Sequence, residues 1–322
     1  MADRTFATGF DTNSYRGFVK GKSTNQVLAD IAELKKAEAK KNIKAFGIMI
    51  VGTEMLGNLV EGVGGPNYND CLNGVIAMAN HCFDETILRP RIIPPPYLHI
   101  TKSFFGTVPS EYEKNVLSMS GVVHDFKVDY IKAIEEHTKS STFEDIKNYL
   151  ASQETTFATD IISFIEGAKL EVKTKNPLVT SPKEIKKLLL DFINNGDYET
   201  FLSLAIIKAT EVALNVSISN EEISKRAAAL RLAFPLSVGF YKWISNEIVD
   251  KNIDMQSNKS KKKRWNWLWD YQVSFIMSDN TLDNRETIIV TADKDMTDML
   301  KHFGYQTKVK TLPEYLAFLN EP

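Results

Sequence analysis

The chain has 322 residues, 43% of them hydrophobic and 25% charged, with a formal net charge of −2 at pH 7. That is enough apolar material for one large domain or two ordinary ones, and the near-balanced charge excludes a uniformly basic nucleic-acid-coating protein while leaving room for a local basic groove. Its two cysteines, Cys71 and Cys82, imply no disulfide framework and suit a reduced, cytoplasmic setting; the N-terminus lacks an apolar leader, and no run reaches the about 18 apolar residues of a membrane span.

An apolar run over residues 5–10 predicts a first strand, ending in Asp11-Thr12-Asn13. Ser23 and Gln26 make a capping-box pattern for a helix whose Val27, Leu28, Ile31 and Leu34 share one face, and its Lys/Glu/Ala-rich tail through Lys41 reads as a solvated end. A second strand over 46–51 runs into Gly52-Thr53-Glu54, so strand, helix and strand make a right-handed βαβ unit the default. A helix follows directly over 54–61 and stops at Gly62-Val63-Gly64-Gly65-Pro66, which has no following Lys-Ser/Thr for a phosphate loop and reads as a hinge.

From there the pattern becomes mainly helical, and residues 65–254 read as a large insertion or second domain. Residues 69–82 predict a buried helix, and prolines at 90, 94, 95 and 96 make 89–96 an extended connector. Helical periodicity returns over 142–170, then behind Ser181-Pro182-Lys183-Glu184, then from Ser219 or Asn220 to an interruption at Pro235. His81, Cys71 and Cys82 lack structural-zinc spacing and read as core or surface residues.

Beyond 254 the α/β order resumes. The basic run Lys259, Lys261, Lys262, Lys263 and Arg264 precedes Trp265, Trp267 and Trp269; it reads either as a phosphate-holding segment beside a base-stacking aromatic or as a solvated loop before core tryptophans. A helix carrying Asp270, a polar loop at 278–284, and a β-branched strand over 287–290 ending in Thr291-Ala292-Asp293-Lys294-Asp295 come next. A helix over 294–302, a short strand at 307–309 and a helix over 312–319 close the chain.

Open parallel sheets keep their sites at the C-terminal ends of their strands. Asp11, Glu54 and Asp293 meet at one point if their strands are neighbours, and Asp270 joins them if its helix packs beside the last strand. Converging carboxylates suit hard divalent cations, although each acid taken alone reads equally as a helix N-cap or turn residue. Asp295 reads as a further ligand or a first-turn helix residue; Asn13 and Thr291 read as hydrogen-bond supports for the carboxylates or as turn residues.

These segments, in this order, resemble the PIN-domain nucleases: a strand into Asp11-Thr12-Asn13, Gly52-Thr53-Glu54-Met55-Leu56, Asp270 opening an apolar helix face, and Val290-Thr291-Ala292-Asp293-Lys294-Asp295. The resemblance covers residues 1–64 and 255–322 and implies a three-layer α/β/α core split by the helical segment. It implies a Mg²⁺- or Mn²⁺-dependent nuclease acting on RNA, or less often DNA, with Asp11, Glu54, Asp270 and Asp293 as catalytic ligands. A toxin or antiviral role, and assembly or regulation through the helical segment, are expectations at the level of the family. Rival readings are a PIN-like scaffold that binds RNA or protein without cleaving, and a phosphatase using Asp11 as nucleophile.

Overall fold

The computed structural model describes residues 5–277, 282 and 285–321, so all of the polar loop expected at 278–284 except Leu282 lies outside the described residues. Five parallel strands form the central sheet of an α/β chain: β1 (Phe6–Phe10), β2 (Ile43–Ile48), β5 (Ile92–Ile93), β6 (Glu286–Val290) and β7 (Val309–Lys310), in the order β5-β2-β1-β6-β7. The short strands β3 (Phe83–Asp84) and β4 (Arg89–Pro90) pair antiparallel by themselves. β1 lies at the centre, in register from Phe6 opposite Ile43 to Gly9 opposite Phe46 on one side, and from Phe6 opposite Glu286 to Phe10 opposite Val290 on the other. Ala7, Phe10, Ile289 and Val290 are fully buried, the condition under which a parallel sheet reads as a near-continuous apolar run.

The chain leaves β1 through α1 (Thr12–Val19) and α2 (Thr24–Lys40) and returns in β2. It leaves β6 through α14 (Lys294–His302), returns in β7 on the opposite side, and ends in α15 (Leu312–Asn320). The direction of winding therefore reverses between β1 and β6. Such a reversal opens a crevice at the strands' C-terminal ends, the usual ligand position in open α/β sheets.

The second strand differs from its expected limits. It spans Ile43–Ile48, and Met49–Gly57 is the helix α3, so Glu54 sits inside a helix and not at a strand end. Every residue from Met49 to Thr53 is buried, and an apolar run without alternation does not distinguish strand from helix by period. Gly52 permits close packing there: a Cβ would lie 2.6 Å from Met78 Cε and 3.0 Å from Met119 Cε. The connector is extended over 89–95, with Pro96 already the first residue of the next helix, and its Ile92 and Ile93 supply the edge strand β5.

Two compact units divide the chain, one of residues 1–99, 108–151 and 279–322, the other of 100–107 and 152–278. These limits depart from an insertion spanning 65–254. The segment 65–151 contributes β5 and also α4 (Tyr68–His81), which packs on α1 and α2 in the first unit. The Gly62 turn, at φ +70°, is a local reversal and not a domain boundary.

The helices of the central stretch are α5 (Pro96–Phe105), α6 (Ser110–Val128), α7 (Tyr130–Lys139) and the long α8 (Thr142–Lys175). The second unit contains α9 (Pro182–Asn194), α10 (Asp197–Ala213), α11 (Asn220–Ala233), α12 (Pro235–Lys251) and α13 (Lys261–Ser274). Among the described residues, no helix is long and apolar enough to cross a membrane.

The first unit buries a polar cluster around Phe10. The Phe10 ring lies 5.2 Å from Tyr15, 4.9 Å from His81 and 5.4 Å from Tyr315, centroid to centroid. His81 Nδ1 meets the Tyr15 hydroxyl at 3.1 Å, its Nε2 meets Glu38 at 2.9 Å, and the Tyr315 hydroxyl donates to Glu38 at 2.6 Å. Glu38 is thus buried, not part of a solvated helix end. Val27, Ile31, Leu34 and Glu38 are the buried residues of α2, and their spacing of three and four continues the inward stripe through the acid. Burial pushes the Tyr15 and Tyr315 hydroxyls well above their ordinary range, so both remain donors.

Candidate functional site

Asp11 follows the last residue of β1, and its backbone N–H continues the ladder by donating to Val290 O at 3.0 Å. Its side chain caps α1: Oδ1 accepts from Ser14 N at 2.6 Å, the bond expected of an aspartate at a helix N-cap. Asp293 plays the same part after β6, with Oδ1 accepting from Met296 N at 2.9 Å at the start of α14. Two helices therefore begin at the switch point of the sheet, each with an aspartate at its N-cap.

Thr291 joins the two acids. It is buried, donates its hydroxyl to Asp11 Oδ2 at 2.5 Å, and accepts the Asp293 backbone N–H at 3.0 Å. Thr12, also buried, donates its hydroxyl to Glu54 Oε2. Through these two hydroxyls Asp11, Glu54 and Asp293 are brought to one edge of the sheet, although Glu54 arrives on α3. The hydrogen-bonding part expected of Thr291 is observed. Asn13, expected to share it, is exposed on α1 and makes no side-chain hydrogen bond among the described residues; Thr12 takes that part instead. The first position of α1 turns its side chain inward, toward α3, while the next turns outward.

Burial pushes the Asp11 carboxyl above its ordinary value of 3.8, against the lowering effect of the bonds from Thr291 and Ser14. Among the described residues no lysine, arginine or histidine pairs with Asp11 or Asp293. Asp295 is exposed in the first turn of α14, the position that favours an acid for the helix dipole.

Further acids and one base lie near α3. Burial pushes the Cys71 thiol up to about 11; Arg16 opposes the rise, while Glu54, Asp70 and Glu61 add to it. Arg16 and Glu54 therefore occupy one electrostatic neighbourhood. Arg16 donates from Nη2 to Asn67 Oδ1 at 2.6 Å, and its Nε is a buried donor with no acceptor among the described residues. Nothing in the sequence singles out Arg16, whose relevance depends on the turn of α1 that follows Asp11. Cys82 is buried as well, its thiol pushed up to about 12.

The remaining expected residues belong to the second unit. Asp270 is buried on α13, so the carboxylates that the first unit itself brings together are Asp11, Glu54 and Asp293. Lys259, Lys261, Lys262 and Lys263 are exposed, the last with its ammonium 5.1 Å from the Trp267 ring centroid. Arg264 is a correction to the expected basic run. Its guanidinium is buried, with Nε donating to Glu154 Oε1 at 3.0 Å and Nη1 donating to Met255 O and Ser257 O at 2.7 Å each. It is committed to internal partners because the run is already folding into α13, where Arg264 lies three and four positions before the buried Trp267 and Leu268 and shares their face. Trp267 and Trp269 are buried, and Trp265 stacks on Trp269 at 4.3 Å.

Compared with protein-family models, curated proteins and solved structures, the chain matches none.

The donor chemistry suits a hard divalent cation. It offers carboxylate and hydroxyl oxygens, and at Asp11 a desolvated acid without a cationic partner. In the arrangement described, no three His, Cys, Asp or Glu side chains among the described residues stand close enough to form a closed ligand group. Asp11 and Asp293 each spend one oxygen on a helix cap, which fixes the direction of the other.

Proposed function

We propose that the chain is a PIN-like, three-layer α/β/α nuclease that hydrolyses phosphodiester bonds with Mg²⁺ or Mn²⁺, with RNA as its principal substrate. The observation that carries this reading is Thr291 bonding both the Asp11 carboxylate and the Asp293 backbone N–H at the switch point, while Thr12, next to Asp11 in sequence, donates to Glu54.

Asp11, Asp293 and Glu54 would hold the cation. A divalent ion supplies positive charge against the negative charge that develops at phosphorus, and acidifies water. The protein's own groups set the geometry: Thr291 fixes the direction of the Asp11 carboxylate, Thr12 that of Glu54, and both hydroxyls spare the acids a reorganisation on binding. The first turns of α1 and α14 direct their N-terminal dipoles toward the same edge, which favours an anionic substrate there. Arg16, on α1 after Asp11, would offer its guanidinium to a phosphate oxygen. Lys259, just before α13, and Lys261, Lys262 and Lys263, exposed in its first turn, would provide contacts to the backbone of a strand.

Cleavage of labelled single-stranded RNA, structured RNA and DNA, with and without Mg²⁺ or Mn²⁺, tests the reading. Wild type cleaves only with metal, and Asp11→Asn and Asp293→Asn abolish cleavage while remaining folded. Unchanged cleavage in both variants overturns the catalytic assignment. A phosphorylated Asp11 recovered after reaction with a phosphate ester identifies the phosphatase instead.

A further inference from the structure

The second unit holds a lysine-lined groove whose lining includes none of the acids proposed as ligands and none of the lysines of the basic run. Its volume is about 780 Å³, and it lies where α8, the start of α9 and the end of α12 meet. Four lysines line it: Lys169 and Lys173, one turn apart on α8, and Lys183 and Lys186, one turn apart on α9. Glu166 is the sole acid on its wall, and it pairs with Lys169 at 3.1 Å.

Like charges one turn apart on a helix repel, and here two such pairs face one concavity in a chain whose net charge is negative. Lys186 is held by Asp250 O at 2.8 Å and Asn252 Oδ1 at 3.2 Å, and so is fixed in position while keeping its charge. Lys173 and Lys183 are exposed, and their side chains make no ion pair or hydrogen bond among the described residues. At the same mouth α9 starts without a side-chain cap: Ser181 makes no capping bond and Pro182 occupies the first turn, so backbone donors there remain for an outside acceptor. The floor is aliphatic, with Ile165, Leu189 and Ile248 buried beneath the lysines.

We propose that this groove binds a nucleoside di- or triphosphate, with the phosphates between Lys173 and Lys183 and the base or ribose on the aliphatic floor. The phosphate chain fits because two or three adjacent anionic groups are what lysines from two helices lining one groove neutralise together. A volume of about 780 Å³ accommodates such a ligand and is in the range of small-molecule sites. The groove has no aromatic side chain along its wall, which disfavours a single-stranded nucleic acid held by base stacking. The site does not depend on the nuclease reading and would serve as a second, effector position.

The test is calorimetric titration of the full chain with ATP, GTP, inorganic triphosphate and a single-stranded RNA oligomer. Excess EDTA is present throughout, so that no metal-borne nucleotide reaches the acids of the first unit. ATP or GTP is expected to bind saturably, with inorganic triphosphate competing. Lys173→Gln and Lys183→Gln are each expected to weaken binding about tenfold, as loss of one charge-assisted contact does. Lys187→Gln, a lysine of α9 outside the groove lining, controls for loss of charge alone and leaves affinity unchanged. Absence of saturable binding, equal weakening by Lys187→Gln, or binding of the RNA oligomer alone overturns the proposal.

Discussion

Thr291→Val is the substitution that bears most directly on the site. Valine keeps the shape of threonine and its place in the buried layer behind β6 but removes the hydroxyl. Two contacts vanish together. Asp11 Oδ2 loses its 2.5 Å donor, a hydrogen bond to a charged group of about 1.5–3 kcal/mol, and the Asp293 N–H loses its 3.0 Å acceptor, at about 1–3 kcal/mol if left unsatisfied. The combined loss is about 2.5–6 kcal/mol, a large share of the stability of an ordinary domain. The pH dependence has a definite sign. Burial raises the Asp11 pKa above 3.8 and the Thr291 bond opposes that rise, so its removal raises the native pKa further. A carboxyl whose native pKa exceeds its unfolded value is most favourable to folding when protonated, below the unfolded pKa, and loses that benefit as pH rises through the native value. The gap between variant and wild type is therefore largest at neutral pH and narrows toward pH 3–4. Urea unfolding at both pH values measures it, and RNA cleavage in Mn²⁺ is expected to fall about 10–100-fold, as loss of a ligand-orienting partner does. Thr291→Ser, which keeps the hydroxyl, restores most of both. A Thr291→Val protein with wild-type stability and wild-type cleavage would refute the role given to this hydroxyl.

Other expectations are equally direct. Saturating Mg²⁺ or Mn²⁺ at about 100 times Kd adds about 2.7 kcal/mol to wild-type stability in chemical unfolding, and the increment disappears in Asp11→Asn. Glu154→Gln leaves the buried Arg264 unpaired and destabilises by about 3–5 kcal/mol, whereas the double variant with Arg264→Met recovers much of that in a double-mutant cycle. Lys261→Gln, Lys262→Gln and Lys263→Gln combined flatten the slope of log affinity against log salt for single-stranded RNA by about 2, measured by fluorescence anisotropy; an unchanged slope removes α13 from the interface. Asp84 has its pKa lowered to about 2, first by the Thr86 hydroxyl and also by Arg91, so its contribution is present above the ordinary 3.8 and is lost as pH falls through 2. Asp84→Asn consequently lowers thermal stability at pH 7 but not at pH 2.

The parts legible in the sequence are those with an unambiguous period or a punctuated end. β1 and β6 are short apolar runs closed by polar residues, so Asp11 and Asp293 are placed at the sheet edge by pattern alone, and α2, α9 and α11 follow from their opening residues. Glu54 lies in a helix and not at the expected strand end, because an apolar run buried on every side fits either period and tertiary contacts choose the helix. Thr12 and Glu38 escape notice for a different cause: a polar side chain turned inward looks like any other until its partner, forty or more positions away, is known. Arg264 sits among lysines that face water, and composition does not separate it from them. The limits of the two units are hidden for the same reason, since a helix's own periodicity shows that it has an apolar face but not which body that face packs upon.

Phe10 and Asp11 are consecutive, yet one is wedged among Tyr15, His81 and Tyr315 while the other stands at the sheet edge. The foundation of the site is thus a fully enclosed layer whose rings and hydrogen bonds lock one another, and Asp11 inherits its fixity from the residue before it. Displacing Asp11 by even a small amount would mean breaking that layer, which amounts to unfolding the unit. On the proposed reading, control of chemistry at this edge would work by admitting or shutting out a substrate, as a door does, and not by bending the acid out of line.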